Sequence, residues 1–164
     1  MRLSRYTAPQ RLAAMALACL AAVAAALVSQ HAFGMEPCPW CVLQRVLFLA
    51  IALACGIGLL WRAQAGRVLA SGLGLLLALA GMATALWQQF VASSSTSCNL
   101  TLADRIVGGL KLDSLLPDVF SARASCADAA VNLLGVPYDL WSLVLFALLA
   151  IVAVSLLSAR NRAA

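Results

Sequence analysis

Four long apolar runs separated by polar breaks organise this chain: Leu12 to Phe33, Val42 to Trp61, Val68 to Phe90 and Leu140 to Ala159. Each approaches or reaches the roughly 20 residues that cross a bilayer as helix. Strands of a membrane β-barrel would be shorter and would alternate apolar with polar residues, which these continuous Leu/Ala/Val runs do not. The pattern predicts an all-α integral membrane protein, a four-helix bundle forming one membrane domain over residues 1–164. Small residues recur at four-residue spacing in the third run (Ala70, Gly74, Ala78), and Gly56 and Gly58 sit in the second, so backbones there can approach closely.

Composition supports the pattern, since a chain that is 64% hydrophobic and only 10% charged is too apolar for a soluble domain of this size. Arg45 is the one Arg, Lys, Asp or Glu inside the four runs. Arginines near short loops are retained in the cytoplasm. Arg2, Arg5 and Arg11 precede the first run, Arg62 and Arg67 follow the second, and Arg160 and Arg162 follow the fourth. Glu36, Asp104, Asp113, Asp118, Asp128 and Asp139 all fall on the other side. Both termini are therefore expected inside, with loops at about 34–41 and 91–139 outside. The net charge of +5 follows from this topology and carries no nucleic-acid signal. Trp40, Trp87, Tyr138 and Trp141 mark the outer boundary and Trp61 the inner one. A basic start before an Ala-rich run is also what a cleaved signal peptide shows, but this run exceeds a usual signal core, and retention is expected.

The long second loop opens with a Ser-rich tract, Ala92 to Ser97, expected to be mobile. Further along, Ile106, Val107, Leu110, Leu115, Leu116, Val119 and Phe120 interleave with Lys111, Asp113 and Asp118. That mixture is too polar to span and apolar enough to lie on the membrane as a short helix, or to pack on the bundle as a loop. Gly135, Pro137 and Asp139 announce the fourth helix, a proline suiting the first turn and a carboxylate the positive end of the dipole.

Six cysteines allow fifteen complete pairings, but Cys19 and Cys55 lie inside apolar runs and read as small hydrophobes. The outer cysteines, Cys38, Cys41, Cys98 and Cys126, leave three pairings in a compartment where disulfides persist. Cys38 with Cys41 and Cys98 with Cys126 is the simplest. Pro39 as first helical residue makes Cys38 the N-cap of the second helix and puts Cys41 one turn on. A helix N-terminus or a nearby cation lowers a thiol pKa and enriches the attacking thiolate. Arg45, one turn deeper on the same face, costs several kcal/mol at the hydrocarbon boundary unless it snorkels or finds an anionic partner. Candidate partners are the Cys41 thiolate and a reduced lipid-soluble acceptor.

Other uses of a Cys-x-x-Cys pair fit less well. A zinc site needs two closely spaced pairs, whereas Cys98 and Cys126 are far apart, so no metal is expected. Cys41 is followed by Val42 rather than His, which disfavours covalent haem. Static staples are disfavoured as well, because a bridge closing so small a loop as Cys38 to Cys41 stabilises little.

With Glu36-Pro37-Cys38-Pro39-Trp40-Cys41-Val42-Leu43-Gln44-Arg45 opening the second run, and Cys98 and Cys126 in the second outer loop, the chain resembles the DsbB family of bacterial inner-membrane disulfide-forming proteins. The likeness covers nearly the whole chain, and Leu112 to Phe120 resembles the family's membrane-lying segment. It implies a protein-dithiol:quinone oxidoreductase in the cell inner membrane. A reduced periplasmic oxidant of thioredoxin fold, similar to DsbA, would attack Cys98, whose partner is Cys126. Electrons would pass to Cys38 and Cys41, then to ubiquinone or menaquinone, with Cys41 nearest the quinone and Arg45 assisting its binding. Family members often carry a histidine near the outer end of the third helix, where this chain has Trp87-Gln88-Gln89-Phe90. Gln89 cannot titrate, which leaves the proton route open. The only histidine, His31, reads as interfacial. Two other functions fit the residues less closely: a quinone-linked thiol enzyme of the vitamin K epoxide reductase type, and a non-enzymatic assembly factor with static disulfides.

Overall fold

The computed structural model describes residues 7–61, 63–92, 101–129, 132–133 and 135–161. Cys98 and the Ser-rich residues 93–97 lie outside the described residues, as do Arg2, Arg5, Arg62 and Arg162. Each apolar run forms one long helix: α1 (Ala8–Phe33), α2 (Pro39–Leu60), α3 (Gln64–Phe90) and α7 (Tyr138–Asn161). All four are long and apolar enough to cross a membrane, the last over Tyr138–Ser158. Between α3 and α7 come three short helices, α4 (Leu102–Gly109), α5 (Leu112–Leu115) and α6 (Pro117–Phe120). A two-residue antiparallel bridge, β1 (Asn132–Leu133) with β2 (Val136–Pro137), then leads into α7.

Local chemistry sets the helix ends. At the start of α1 the Gln10 side chain accepts from the Thr7 backbone N–H at 2.9 Å, with Pro9 in the first turn. Gly34 ends this helix with φ 65°, a left-handed conformation that glycine adopts without steric cost. Only the residues Gly34 to Cys38 then link α1 to α2. Helix α4 starts on a reciprocal cap: Asp104 N–H donates to Thr101 Oγ1 at 3.2 Å, and Thr101 N–H donates to Asp104 Oδ2 at 2.8 Å. The expected surface helix over 106–120 is broken in three, because Lys111 sits at φ 54° and Pro117 restarts the chain. Val107 and Phe120 bury themselves against Val42 of α2 while Leu110, Leu115 and Leu116 stay exposed.

The bundle core joins Leu12, Met15 and Cys19 of α1, Phe48, Ile51 and Cys55 of α2, Ala70 and Ala78 of α3, and Phe146, Leu149 and Ala153 of α7. Phe48 and Phe146 lie parallel with ring centroids 4.0 Å apart. The small-residue stripe works as expected on α3, where Ala70, Gly74, Ala78 and Gly81 are buried. Gly58 lets α2 meet α3 at Ala70, but Gly56 has nothing within 4 Å and plays no packing part. Leu17, Leu53, Leu76 and Ile151 point outward, the surface that faces lipid tails as apolar as themselves. Trp87 and Trp141 are half exposed as anchors should be, whereas Trp40 is buried in a tilted pair with Trp87 at 6.3 Å.

A Cβ at Gly81 would run into the Phe146 ring, which is already stacked on Phe48. Gly81→Val is therefore expected to destabilise the bundle by about 1–3 kcal/mol through overpacking. Gly56→Ala should stay within about 0.5 kcal/mol. Thermal unfolding of the two variants in the same detergent checks the contrast.

Candidate redox site

The site is assembled on the first turn of α2. Cys38 is the N-cap, its sulfur accepting the Cys41 N–H at 3.3 Å, and Pro39 occupies the first helical position. This spacing brings the Cys38 and Cys41 sulfurs to 2.7 Å. Backbone bonds then attach the second loop to the first: Arg123 N–H and Ala124 N–H both donate to the Pro37 carbonyl, at 3.0 and 3.3 Å. Two residues further on, Cys126 packs with Cys38, Trp40, Leu43, Ala92 and Ala103 in one buried apolar cluster.

Cys126 packs close enough to Cys38 for each thiol to act on the other's ionisation. The contact divides the two thiols. Cys38 is pushed well above the ordinary thiol range, because its proton is shared with Cys126 first and Cys41 second. Cys126 is held below that range, chiefly by receiving the Cys38 hydrogen bond. The N-cap position alone would have made Cys38 the acidic sulfur. The neighbouring sulfurs outweigh it.

Two cavities flank the pair. The larger, about 880 Å³, lies between α1, α2 and α7 and is lined by Cys41, Gln44, Arg45, Gln88, Tyr138 and Asp139 at its polar end and by Ala22, Phe48, Leu145 and Leu148 along its apolar wall. The smaller, about 740 Å³, is lined by Cys126, Trp40, Trp87, Thr101 and Asp104. Cys38, with no exposed surface, lines neither. The sulfurs of Cys126, Cys38 and Cys41 therefore run in series from one opening to the other.

Arg45 does not snorkel. It is 5% exposed, and its Nη1 donates to Gln30 Oε1 at 2.8 Å and to the Val119 carbonyl at 2.9 Å, while Nη2 donates to the Ala26 carbonyl at 3.5 Å. Gln30 Nε2 in turn donates to the Asp118 carbonyl at 3.2 Å. The guanidinium is close enough for its charge to act on Cys41. On the other side, Gln88 Nε2 donates to the Cys41 sulfur at 3.3 Å, and Gln44 Nε2 donates to Gln88 Oε1 at 2.9 Å.

Comparison with known proteins follows the same outline. The family model described as Disulfide bond formation protein DsbB matches residues 9–156. The chain is 35% identical over 150 residues to Disulfide bond formation protein B of Burkholderia pseudomallei (strain 1106a), covering 90% of this chain and 89% of that one. The chain belongs to the DsbB family. It is similarly related to the proteins of that name from Polaromonas naphthalenivorans (strain CJ2), 33% identical with 99% and 100% of the two chains covered, and from Pseudomonas syringae pv. tomato (strain ATCC BAA-871 / DC3000), 35% identical with 84% and 82% covered.

In this DsbB chain Cys38 and Cys126 share a buried cluster with Cys41 against it, Arg45 lines the larger cavity beside Cys41, and Cys98 falls outside the described residues. His31 is exposed, with its Nδ1 2.9 Å from the Leu27 carbonyl, and does not line either cavity. Sequence reading weighed Gln89 against the family histidine, but Gln88 is the residue that touches Cys41. Gln30, Gln44 and Gln88 were missed. Their signal was available: amides inside apolar helices must find partners, and they do so facing inward.

Since Cys126 is the more acidic thiol of the touching pair, alkylation of the reduced protein below the ordinary thiol pKa of about 8.5 is expected at Cys126 before Cys38. Mild oxidation of a Cys41→Ser, Cys98→Ser variant should also yield a Cys38–Cys126 bridge. Peptide mass spectrometry reads both outcomes, and preferential labelling of Cys38 would contradict the contact.

Proposed function

We propose that this protein reoxidises a soluble, DsbA-like dithiol protein outside the bacterial inner membrane and passes the electrons to membrane quinone, ubiquinone or menaquinone. One observation carries the reading: Cys126, Cys38 and Cys41 stand in series between two openings, and the last of them shares its cavity with a buried arginine. Four apolar helices and relatives named for disulfide bond formation support it. In this reading both termini are cytoplasmic and both cysteine pairs periplasmic, in keeping with the arginine distribution.

The exchange balances sulfur by sulfur. A partner thiolate attacks Cys98 of a Cys98–Cys126 disulfide, forming a mixed disulfide and releasing Cys126 as thiolate. Cys126, the sulfur already held acidic, attacks Cys38 of a Cys38–Cys41 disulfide and displaces Cys41 as thiolate. The second partner thiol then releases Cys98 and carries off its own disulfide. Cys98 attacks Cys126 to restore the loop pair, and Cys38 leaves with a proton. Chain connectivity supports this order, because Cys98 is three Cα-to-Cα steps from Thr101 at the smaller cavity, a reach of at most about 11 Å.

What remains is a reduced Cys38/Cys41 pair. Quinone accepts the two electrons and becomes quinol as those sulfurs form their bond again. The larger cavity suits it, with an apolar wall for an isoprenoid chain and, beside Cys41, amide and guanidinium donors for the ring oxygens. Arg45, Gln44 and Gln88 would hold the ring, and the guanidinium opposes the negative charge arriving at Cys41. Static staples would need none of this polar machinery at one sulfur.

Cys→Ser at any of Cys38, Cys41, Cys98 or Cys126 is expected to abolish steady turnover, measured as quinone loss with purified protein and a reduced DsbA-like partner. Arg45→Ala should lose hydrogen bonds from a charged donor worth about 1.5–3 kcal/mol, raising the quinone KM by about 10- to 100-fold while the partner KM changes little. Quinone-coupled turnover by a single-serine variant, or a larger change in the partner KM than in the quinone KM, would refute the assignment.

A further inference from the structure

We infer that Asp139, positioned by Gln89, hands a proton into the larger cavity as the electron acceptor there is reduced. This rests on the dithiol:quinone reading above and adds to it the proton route that a glutamine cannot supply by itself.

Among the described residues Asp139 is the only buried carboxyl. It lies in the first turn of α7 and lines the same cavity as Cys41 and Arg45. The Gln89 amide nitrogen, in the orientation that satisfies both groups, lies 2.7 and 2.9 Å from its two oxygens. No ion pair joins Asp139 to a cation among the described residues, so none locks it in its charged form. An acidic group walled into a membrane bundle without a cation is costly, and such residues mark proton paths. Helix capping alone does not account for the placement. Asp104 caps α4 from a partly exposed position, whereas Asp139 is 8% exposed and opens on the cavity.

The geometry also serves both protonation states. Protonated, the carboxyl offers an O–H donor to a ligand in the cavity. Ionised, it is steadied by the Gln89 amide and by the N-terminal N–H groups of α7. The step balances as follows. Cys38 enters with its proton, Cys41 as thiolate, and Asp139 with its proton; the S–S bond forms, two electrons pass to quinone, and quinol takes one proton from Cys38 and one from Asp139. Asp139 is left ionised and regains a proton from outside, equivalent to the one the partner's attacking thiol had given up. The other titratable or charged groups on this cavity are Glu36, Cys41, Arg45, Arg123, Asp128 and Tyr138. α3 contributes only the Gln88 amide there, and α1 contributes no charged side chain.

The test uses reduced full-length protein in lipid nanodiscs with a short-chain ubiquinone. It follows single-turnover formation of the Cys38–Cys41 bond across pH, quinone quenching of tryptophan fluorescence, and the infrared band of protonated carboxyls. Asp139→Asn should slow the single turnover by about 10²-fold, in the range of a lost general acid. Quinone quenching should be unchanged, and Asp139→Glu should recover most of the rate. The wild-type rate should fall as pH rises through the titration of Asp139. The Asn variant should lack that fall and keep only the rise from thiol ionisation. A carboxyl band lost during turnover in the wild type should be missing from the Asn variant. An Asn variant with the wild-type rate overturns the inference. So does a slow variant that Glu does not rescue and that has lost quinone quenching or thermal stability. A wild-type protein that reduces no quinone overturns the underlying reading as well.

Discussion

A guanidinium withdrawn from water must be given acceptors, and in this bundle that requirement draws three elements together. Arg45 projects from α2 and finds carbonyl oxygens on α1, at Ala26 and Gln30, and on α6, at Val119. Gln30 extends the network by bonding the Asp118 carbonyl. The short helices of the second loop are thereby tied to the transmembrane helices directly over the cavity. Breaking such a buried, charged network costs far more than its net worth, because the unpaired charge stays behind. The cavity next to Cys41 exists in its present shape because Arg45 has to be satisfied there.

The same logic governs the opposite side of the site on a smaller scale. The Pro37 carbonyl has no helical partner, and accepting two N–H groups from the second loop settles it while seating Cys126 against Cys38. Chemistry that needs sulfurs within bonding reach is thus obtained from an ordinary backbone obligation. The apolar cluster around Trp40 then excludes water from the contact.

Much of this was legible in the residues themselves. Four membrane-length runs give the helices within a few residues, the starts being early because Pro39 and Gln64 open polar first turns that hydropathy does not count. Cys38, Cys41 and Arg45 could be placed on one helical face from spacing alone, since the 3.6-residue period fixes it, with Pro39 opening the helix. Which neighbours those residues meet was not legible. The acidity of Cys126 relative to Cys38, the Gln44–Gln88–Cys41 chain and the Gln89–Asp139 contact all depend on how α3, α7 and the second loop settle against α2. Register between non-consecutive helices leaves no trace in local pattern. Gln88 and Gln89 are a sharp instance, as neighbours in sequence that serve different partners.

Cys38 has no surface of its own and stands between a groove at Cys126 and a lipid-side chamber at Cys41. It therefore behaves as an insulated junction. A small reducing thiol arriving from solution has no line of approach to it, so under the proposed function current would enter only through the loop sulfurs and leave only toward the hydrocarbon. In that scheme, short circuits between an exterior thiol and the membrane's electron carriers would be prevented by packing alone, without any moving gate.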